Sequence, residues 1–375
     1  MASNRPPFRA DQVGSLLRPP DLIRARERFQ KGEIDRAALA EIEDRSIAEV
    51  VRLQEDVGLA AVTDGEYRRR NYYGGFFVDG IGGVKPGIEA STKWFYKNAA
   101  GEKKGAALPQ VVARLRWKKP VHVGDFRFLA ARTDRMVKVT LPGPCILHFL
   151  AGRDNIDRTA YPDLDLFWDD VVDAIRREMD ALYQAGCRYI QLDETAFAKF
   201  GDAEVVQGLK DRGDDWRDLA RLYIEVMNRT LAGKPADLSV CIHMCRGNSR
   251  GFWQAEGGYD PVAERLFNDL AVDGFFLEYD SARAGSFAPL AAMPKGKPVV
   301  LGLVSTKTGV LEKADDLKRR IDEAAAYVDP DQICISPQCG FASEHHGNPL
   351  TVDQEVAKLR LLVDVARDVW GSVYR

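Results

Sequence analysis

Long apolar runs are missing from this sequence. No segment of its 375 residues approaches the roughly 18–20 consecutive apolar residues that a membrane-spanning helix requires. The opening residues, MASNRPPFRADQ, also lack the apolar centre of a secretory signal peptide. We therefore expect a protein that neither crosses nor binds a membrane, and the predicted location is the cytoplasm.

The sequence also has few cysteines and a small net charge. The chain has 6 cysteines, too few for a fold held together by disulfide bonds. Its 53 Lys and Arg residues against 56 Asp and Glu residues give a net charge of −3, which argues against nucleic acid as the main partner. With 45% hydrophobic and 29% charged residues, the composition is typical of a globular enzyme.

Short β-branched segments alternate along the chain with longer amphipathic ones. The predicted strands are residues 8–14, 59–64, 136–142, 188–193, 238–243, 272–278, 298–305 and 332–337. The predicted helices are residues 35–57, 163–185, 214–231, 260–270, 314–327 and 351–369. Strands separated by helices favour parallel pairing, and eight such strands close a (β/α)8 TIM barrel. We therefore predict an α/β protein with one catalytic barrel domain spanning residues 1–375.

One region departs from this alternation. Residues 74–135 are predicted to form loops and a β-hairpin without a helix, inserted over one mouth of the barrel. An open, doubly wound sheet is the competing fold. It is disfavoured because no glycine-rich phosphate loop follows the first strand, where QVGSLLRP stands.

Polar side chains cluster directly after the predicted strands. In a barrel these positions meet at the carboxyl ends of the strands, where active sites are built. The residues concerned are Ser15, Asp64, Glu66, Asp193, Glu194, His243, Cys245, Glu278, Lys307 and Cys339. This placement indicates an enzyme.

The sharpest motif is CIHMCRGN, which contains His243 and Cys245. Side chains alternate along a strand, so residues two apart point to the same side and can bind one ion. Imidazole and thiolate together suit Zn²⁺, and Cys339 and Glu278 would complete a set of four ligands. The alternative is that both cysteines are small buried core residues and that His243 is a hydrogen-bonded core histidine.

The remaining cysteines and histidines are interpreted more simply. Cys187, Cys241 and Cys334 are predicted core residues, and packing is also favoured for Cys145, although Cys145 could line the barrel mouth. The pair at residues 345–346, both histidines, is more typical of a solvated loop than of a group supporting the metal or shuttling protons.

Two carboxylates, Glu66 in TDGEYRRR and Asp193 in QLDET, follow predicted strands. A carboxylate in a pocket is costly unless it meets a cation, so these two are candidates for binding a substrate ammonium group. The alternative is a salt bridge inside the barrel mouth with an arginine of the run at residues 68–70.

In this order, the motifs VGS, DGE, QLDE, His-x-Cys and PQCG and the glutamate after the sixth strand resemble those of the cobalamin-independent methionine synthase family. The likeness extends over essentially the whole chain. It corresponds to the C-terminal catalytic barrel, as in short single-barrel members. The resemblance implies zinc ligands at His243, Cys245, Glu278 and Cys339. It implies homocysteine contacts at Val13, Gly14, Ser15, Glu66 and Asp193.

The sequence departs from the family pattern on the methyl-donor side. Lys199 stands where the family has a folate-contacting glutamate, and Lys307 stands where it has a catalytic histidine. The long members also carry a second barrel that helps to hold polyglutamyl folate. We therefore expect weak use of polyglutamyl methylfolate, unless Lys199 simply points to solvent and folate binds elsewhere.

The resulting prediction is a zinc-dependent transferase that alkylates a small-molecule thiol, with Asp193 and Lys307 in catalytic roles. The favoured reaction moves a methyl group from a folate-type or other small donor to homocysteine and yields methionine. An epoxyalkane:coenzyme M transferase is the closest alternative. A metal-free decarboxylase of the uroporphyrinogen type and a non-enzymatic zinc-binding protein are the others. The oligomeric state is left open.

Overall fold

The computed structural model describes residues 5–87 and 90–375. A curled sheet of seven parallel strands, in the order β1-β6-β7-β8-β9-β10-β11, forms the centre of the molecule. Its strands are β1 (Ala61–Val62), β6 (Met136–Pro142), β7 (Tyr189–Asp193), β8 (Ser239–Met244), β9 (Gly274–Glu278), β10 (Val299–Val304) and β11 (Ile333–Pro337). The α/β class is therefore confirmed.

Ten α-helices are found within the described residues. They are α1 (Pro20–Gln30), α2 (Arg36–Val57), α3 (Val123–Ala130), α4 (Ile146–Ala151), α5 (Leu164–Gln184), α6 (Ala203–Asp211), α7 (Trp216–Leu231), α8 (Ala263–Asp269), α9 (Ala314–Ala325) and α10 (Val352–Trp370). All six predicted helices are present. The others, α1, α3, α4 and α6, were not predicted.

Local sequence explains where the long helices begin. Asp163 caps α5 by accepting a hydrogen bond from the Asp165 backbone N–H. Thr351 and Gln354 form a reciprocal capping box at the start of α10. These helices cover a sheet whose last five strands, β7 to β11, are buried along their whole length, as expected of parallel strands with helices on the outside.

The first predicted strand, residues 8–14, is not a full strand in the structure. It makes one parallel bridge, between Ala10 and Ile335 of β11. On its other side, the Thr63 hydroxyl donates to the Gly14 carbonyl at 2.7 Å. The chain leaves the strand direction at Gly14, whose φ is 145°. The segment thus lies between the two edges of the sheet, and the described residues form seven parallel strands rather than the predicted closed ladder of eight.

The region predicted as an insertion contains two small antiparallel sheets. Strands β2 (Val84–Lys85) and β5 (Gln110–Val111) form one, and β3 (Ala90–Lys97) and β4 (Lys103–Ala107) form the predicted hairpin. The prediction that this region has no helix is wrong at α3. There Val123, Phe126 and Leu129, three residues apart, are buried on one helical face.

None of the described helices is both long enough and apolar enough to cross a membrane.

Candidate active site

Three of the predicted metal ligands come together at the carboxyl ends of the strands. His243 lies near the end of β8, Cys245 follows that strand, and Cys339 follows β11. Their ligand atoms all lie within 4.8 Å of one another, and all three residues are buried. The Sγ atoms of Cys245 and Cys339 are 3.5 Å apart.

This group could hold a metal ion. Both ring nitrogens of His243 are buried and have no hydrogen-bond partner among the described residues. A buried imidazole without partners is costly, and a metal ion would satisfy one of its nitrogens. One nitrogen and two sulfur ligands at this spacing suit a tetrahedral ion such as Zn²⁺.

Glu278, the fourth predicted ligand, lies outside this three-residue group. Its Oε2 accepts a hydrogen bond from the Arg246 backbone N–H at 2.7 Å, and its Oε1 pairs with Arg283 at 2.9 Å. Burial opposes its ionisation, but Lys307, Arg246 and Arg283 outweigh that effect and lower the pKa of Glu278 to about 2. Glu278 is therefore a carboxylate held by arginine beside the group.

A cavity opens onto the metal group. Its wall includes Glu66 and Asp193, the two predicted ammonium-binding carboxylates. Asp193 is the last residue of β7 and pairs in register with His243 of β8. Burial raises the pKa of Asp193 to about 7, and the negative charge of Glu66 adds to this effect, while His243 opposes it. A substrate cation would favour the ionised form.

Glu66 is held in an unusual backbone conformation. Its φ is 60°, which is rare for a residue other than glycine and is typical of functional sites. Oε1 accepts a hydrogen bond from the Thr140 hydroxyl at 2.8 Å. Oε2 is buried without a hydrogen-bond partner in residues 5–87 and 90–375. Arg69 lies 3.9 Å from Oε1, so the predicted contact with the arginine run exists but leaves Oε2 free.

The N-terminal segment forms another part of the wall. Val13 and Ser15 line the cavity, whereas Gly14 lies between them and supports the turn. A Cβ atom at Gly14 would lie 2.6 Å from the Thr140 Cγ2 atom and 3.0 Å from Glu66 Oε1. Glycine is therefore required here for the close approach of the segment to Glu66.

The two lysines singled out in the sequence occupy different places. Lys199 lines the cavity and is 1% exposed. The alternative that it points to solvent is therefore wrong. Lys307, predicted to be catalytic, does not line the cavity as the described residues define it, and its Nζ donates to the Gly247 carbonyl at 3.2 Å.

Several cavity residues were not predicted. Tyr96 comes from the inserted hairpin, and Tyr72, Asn248, Gln254 and Ser343 come from loops. Asn248 follows the His-x-Cys motif closely, so its position after a strand is a usable signal. Tyr96 carries no such signal, because its place depends on how the hairpin folds over the sheet.

The remaining cysteines follow the core prediction. Cys187, Cys241 and Cys334 are fully buried outside the cavity lining, and so is Cys145, whose backbone N–H donates to Glu194. His345 and His346 also lie outside the lining, with their rings 3.8 Å apart in a loop.

The sequence matches a known family over almost its full length. The family described as cobalamin-independent synthase, catalytic domain, covers residues 8–368. The Bacillus subtilis protein YxjH is 40% identical over 366 residues, which include 97% of this chain and 95% of that relative. The chain belongs to this family.

Solved structures agree with this membership of the cobalamin-independent synthase family. A Listeria monocytogenes structure, named for vitamin-B12 independent methionine synthase, has a TM-score of 0.76 and 34% identity, and the match covers 98% of this chain and 99% of that one. A Shewanella B12-independent methionine synthase, solved in complex with selenomethionine, has a TM-score of 0.70 at 21% identity and covers 96% and 97% of the two chains. The Shewanella structure supports the fold.

Proposed function

We propose that this member of the family is a zinc-dependent S-methyltransferase that transfers a methyl group from a small donor to homocysteine and forms methionine. The observation that carries the proposal is the buried group of His243, Cys245 and Cys339 beside a cavity with two carboxylates. We further propose that residues 1–375 act as one catalytic barrel domain.

His243, Cys245 and Cys339 are the proposed residues that hold the metal. A zinc ion supplies Lewis acidity that keeps a bound thiol in its thiolate form, which at neutral pH is otherwise a minority for a thiol of pKa ~8.5. Catalytic zinc sites retain a position for substrate. Glu278 stays a predicted fourth ligand of the resting state. To bind a metal there, one of its oxygens would have to leave Arg283 or the Arg246 backbone N–H.

The carboxylates orient the thiol substrate. Oε2 of Glu66 lacks a partner among the described residues, and Asp193 faces the same cavity. An α-ammonium group placed between them satisfies both, and the segment from Val13 to Ser15 is the proposed contact for the amino-acid carboxylate. Selenomethionine in the Shewanella structure fits an amino-acid ligand of this kind.

Replacing Asp193 with asparagine tests the orientation of the thiol. The variant keeps the shape of the side chain and removes its charge, so homocysteine binding should weaken by about 1.5–3 kcal/mol, the range for a charge-assisted hydrogen bond. Isothermal titration of zinc-loaded protein measures this loss. An uncharged thiol without an amino group, such as 2-mercaptoethanol, is the control and should bind both proteins equally. Unchanged affinity for homocysteine would contradict the proposed ammonium site.

Alkylation of another thiol, such as coenzyme M by an epoxide, remains the second candidate. That reaction would use the same metal group, but it needs a cation near the sulfonate of coenzyme M. Glu66 and Asp193 instead make their side of the cavity anionic. Incubation of the purified enzyme with homocysteine and with coenzyme M, followed by mass detection of the products, separates the two. Alkylated homocysteine supports the proposed function, and alkylated coenzyme M alone overturns it.

A further inference from the structure

Lys199 is the only ammonium group on the cavity wall as described, and its surroundings are unusual. Its Nζ donates to the Gln254 Oε1 atom at 2.6 Å and to the Thr195 Oγ1 atom at 3.1 Å. Both partners are neutral. An ammonium group has three donors, so one N–H remains for a bound molecule. A buried charge without a carboxylate partner is costly and indicates a functional role.

The charged groups that act on Lys199 differ from those that act on Asp193, which is part of the proposed site for the substrate ammonium group. The strongest attractions on Lys199 come from Cys245, Glu194, Glu278 and Cys339. The strongest charge effects on Asp193 come instead from His243, Glu66 and Lys138. The negative charges that favour the Lys199 ammonium thus include both cysteines, whereas Asp193 pairs in register with His243 on the neighbouring strand. A thiol whose ammonium group lies at the carboxylates leaves the lysine side of the cavity to the second substrate.

We propose that Lys199 donates a proton to the leaving atom of the second substrate. That substrate is then an electrophile whose leaving group departs through a basic nitrogen or oxygen atom. This inference rests on the thiol alkylation proposed above. Burial lowers the pKa of Lys199 to about 8, which makes its ammonium a stronger acid than an exposed lysine and so supports the assignment.

The proposed step balances in atoms and charge. The thiol releases its proton to solvent when the thiolate forms. The thiolate sulfur then bonds to the electrophilic carbon, and the bond from that carbon to nitrogen or oxygen breaks. Its electron pair stays on the leaving atom, which takes a proton from Lys199 Nζ. The neutral lysine regains a proton from water. Sulfonium and halide donors need no such proton, because their leaving groups depart as a neutral thioether or a stable anion.

This assignment moves the acid role from Lys307 to Lys199. The Nζ of Lys307 is directed to the Gly247 carbonyl, and that side chain is absent from the described cavity wall. Gln254 and Thr195 act as positioning residues, since each holds Lys199 by a hydrogen bond.

Donors of different leaving groups test the proposal with homocysteine as the thiol. The panel has three donors. The leaving atom is nitrogen in 5-methyltetrahydrofolate monoglutamate and oxygen in propylene oxide. The third donor, methyl iodide, releases iodide, which needs no proton. Zinc-loaded wild type should use at least one of the first two donors. Lys199→Met should lower kcat with that donor by about 100-fold, the scale of general acid catalysis. Its enzyme-dependent rate with methyl iodide, after subtraction of the rate without enzyme, should fall far less than its rate with that donor.

Lys199→Arg distinguishes proton donation from charge. Arginine keeps the positive charge, which protects the fold, but it does not give up a proton at accessible pH. It should therefore be as impaired as Lys199→Met with nitrogen and oxygen donors, and much less impaired with methyl iodide. Full activity of Lys199→Arg, or an equal loss with all donors, would overturn the proposal. A wild type that uses methyl iodide alone overturns this inference and leaves the proposed function standing. If the wild type alkylates homocysteine with none of the three donors, both this inference and the proposed function are overturned.

Discussion

Replacing Cys245 with serine is expected to remove zinc from the protein and to lower thiol alkylation by about 1,000-fold. Cys245 is one of the two cysteines in the three-residue group, and its Sγ lies 3.5 Å from that of Cys339. A serine hydroxyl is a poor substitute for a thiolate on zinc. Loss of the metal removes several kcal/mol of charge stabilisation, and each 1.4 kcal/mol corresponds to about a factor of ten in rate.

Metal analysis of dialysed protein and a homocysteine alkylation assay measure the two effects. The matched control is Cys187→Ser, because Cys187 is equally buried but precedes β7 at the other end of the sheet. That variant should retain one zinc per chain and normal activity. A Cys245→Ser, Cys339→Ser double variant with unchanged zinc would contradict the assignment of these ligands.

Asp11→Asn is expected to destabilise the protein by about 3–5 kcal/mol, the usual result of breaking a buried ion pair. Asp11 Oδ1 and Lys138 Nζ are 3.2 Å apart, and neither side chain is exposed to solvent. The Tyr189 hydroxyl donates to the other carboxylate oxygen at 2.8 Å. Removing the carboxylate charge leaves the Lys138 ammonium buried without its counter-ion, close to the Phe276 ring.

The loss of stability in Asp11→Asn depends on pH through the protonation of Lys138. Burial lowers the pKa of Lys138, while Asp11 raises it, so the pKa falls further when the aspartate charge is removed. The folded variant then binds fewer protons at Lys138 than the unfolded chain, and its stability rises with pH up to the ordinary lysine pKa. The stability deficit of Asp11→Asn should therefore shrink at alkaline pH.

Urea denaturation followed by tryptophan fluorescence measures both effects. The control is Asp368→Asn, which breaks the exposed pair between Lys318 and Asp368, at 2.8 Å. Surface pairs contribute about 0–1 kcal/mol, so this variant should unfold at nearly the wild-type urea concentration. Equal unfolding midpoints for Asp11→Asn and wild type would show that the buried pair does not stabilise the fold.

Where burial and sequence pattern agree, the sequence predicts the fold closely. Strand β6 was predicted at its observed bounds because MVKVTLP is an apolar, β-rich run, as parallel strands require. Residues 8–14, FRADQVG, are also predicted as a strand but form one bridge. There the chain turns at Gly14 and the Arg9 guanidinium donates to the Ile333 carbonyl of the neighbouring strand, and such tertiary contacts are not visible in a local pattern.

In the candidate site, too, the sequence predicts what local rules determine and not what tertiary contacts determine. The His-x-Cys spacing and the carboxylates after strands predicted residues that do meet, because alternation on a strand and the carboxyl ends of parallel strands are local rules. The roles of the two lysines depend on burial and on partners far along the chain. Lys199 is held by Gln254, and Lys307 is held by the Gly247 carbonyl, so only the folded structure distinguishes them.

X-ray absorption at the zinc edge, recorded before and after addition of homocysteine, tests the central claim that the thiol substrate binds at the His243, Cys245 and Cys339 group. The proposed site supplies two sulfur ligands, so the proposed binding raises the sulfur count around zinc to three. The Cys339→Ser variant, if it retains any metal, should start one sulfur lower and gain one in the same way. A sulfur count that does not change with saturating homocysteine would contradict thiol binding at the metal.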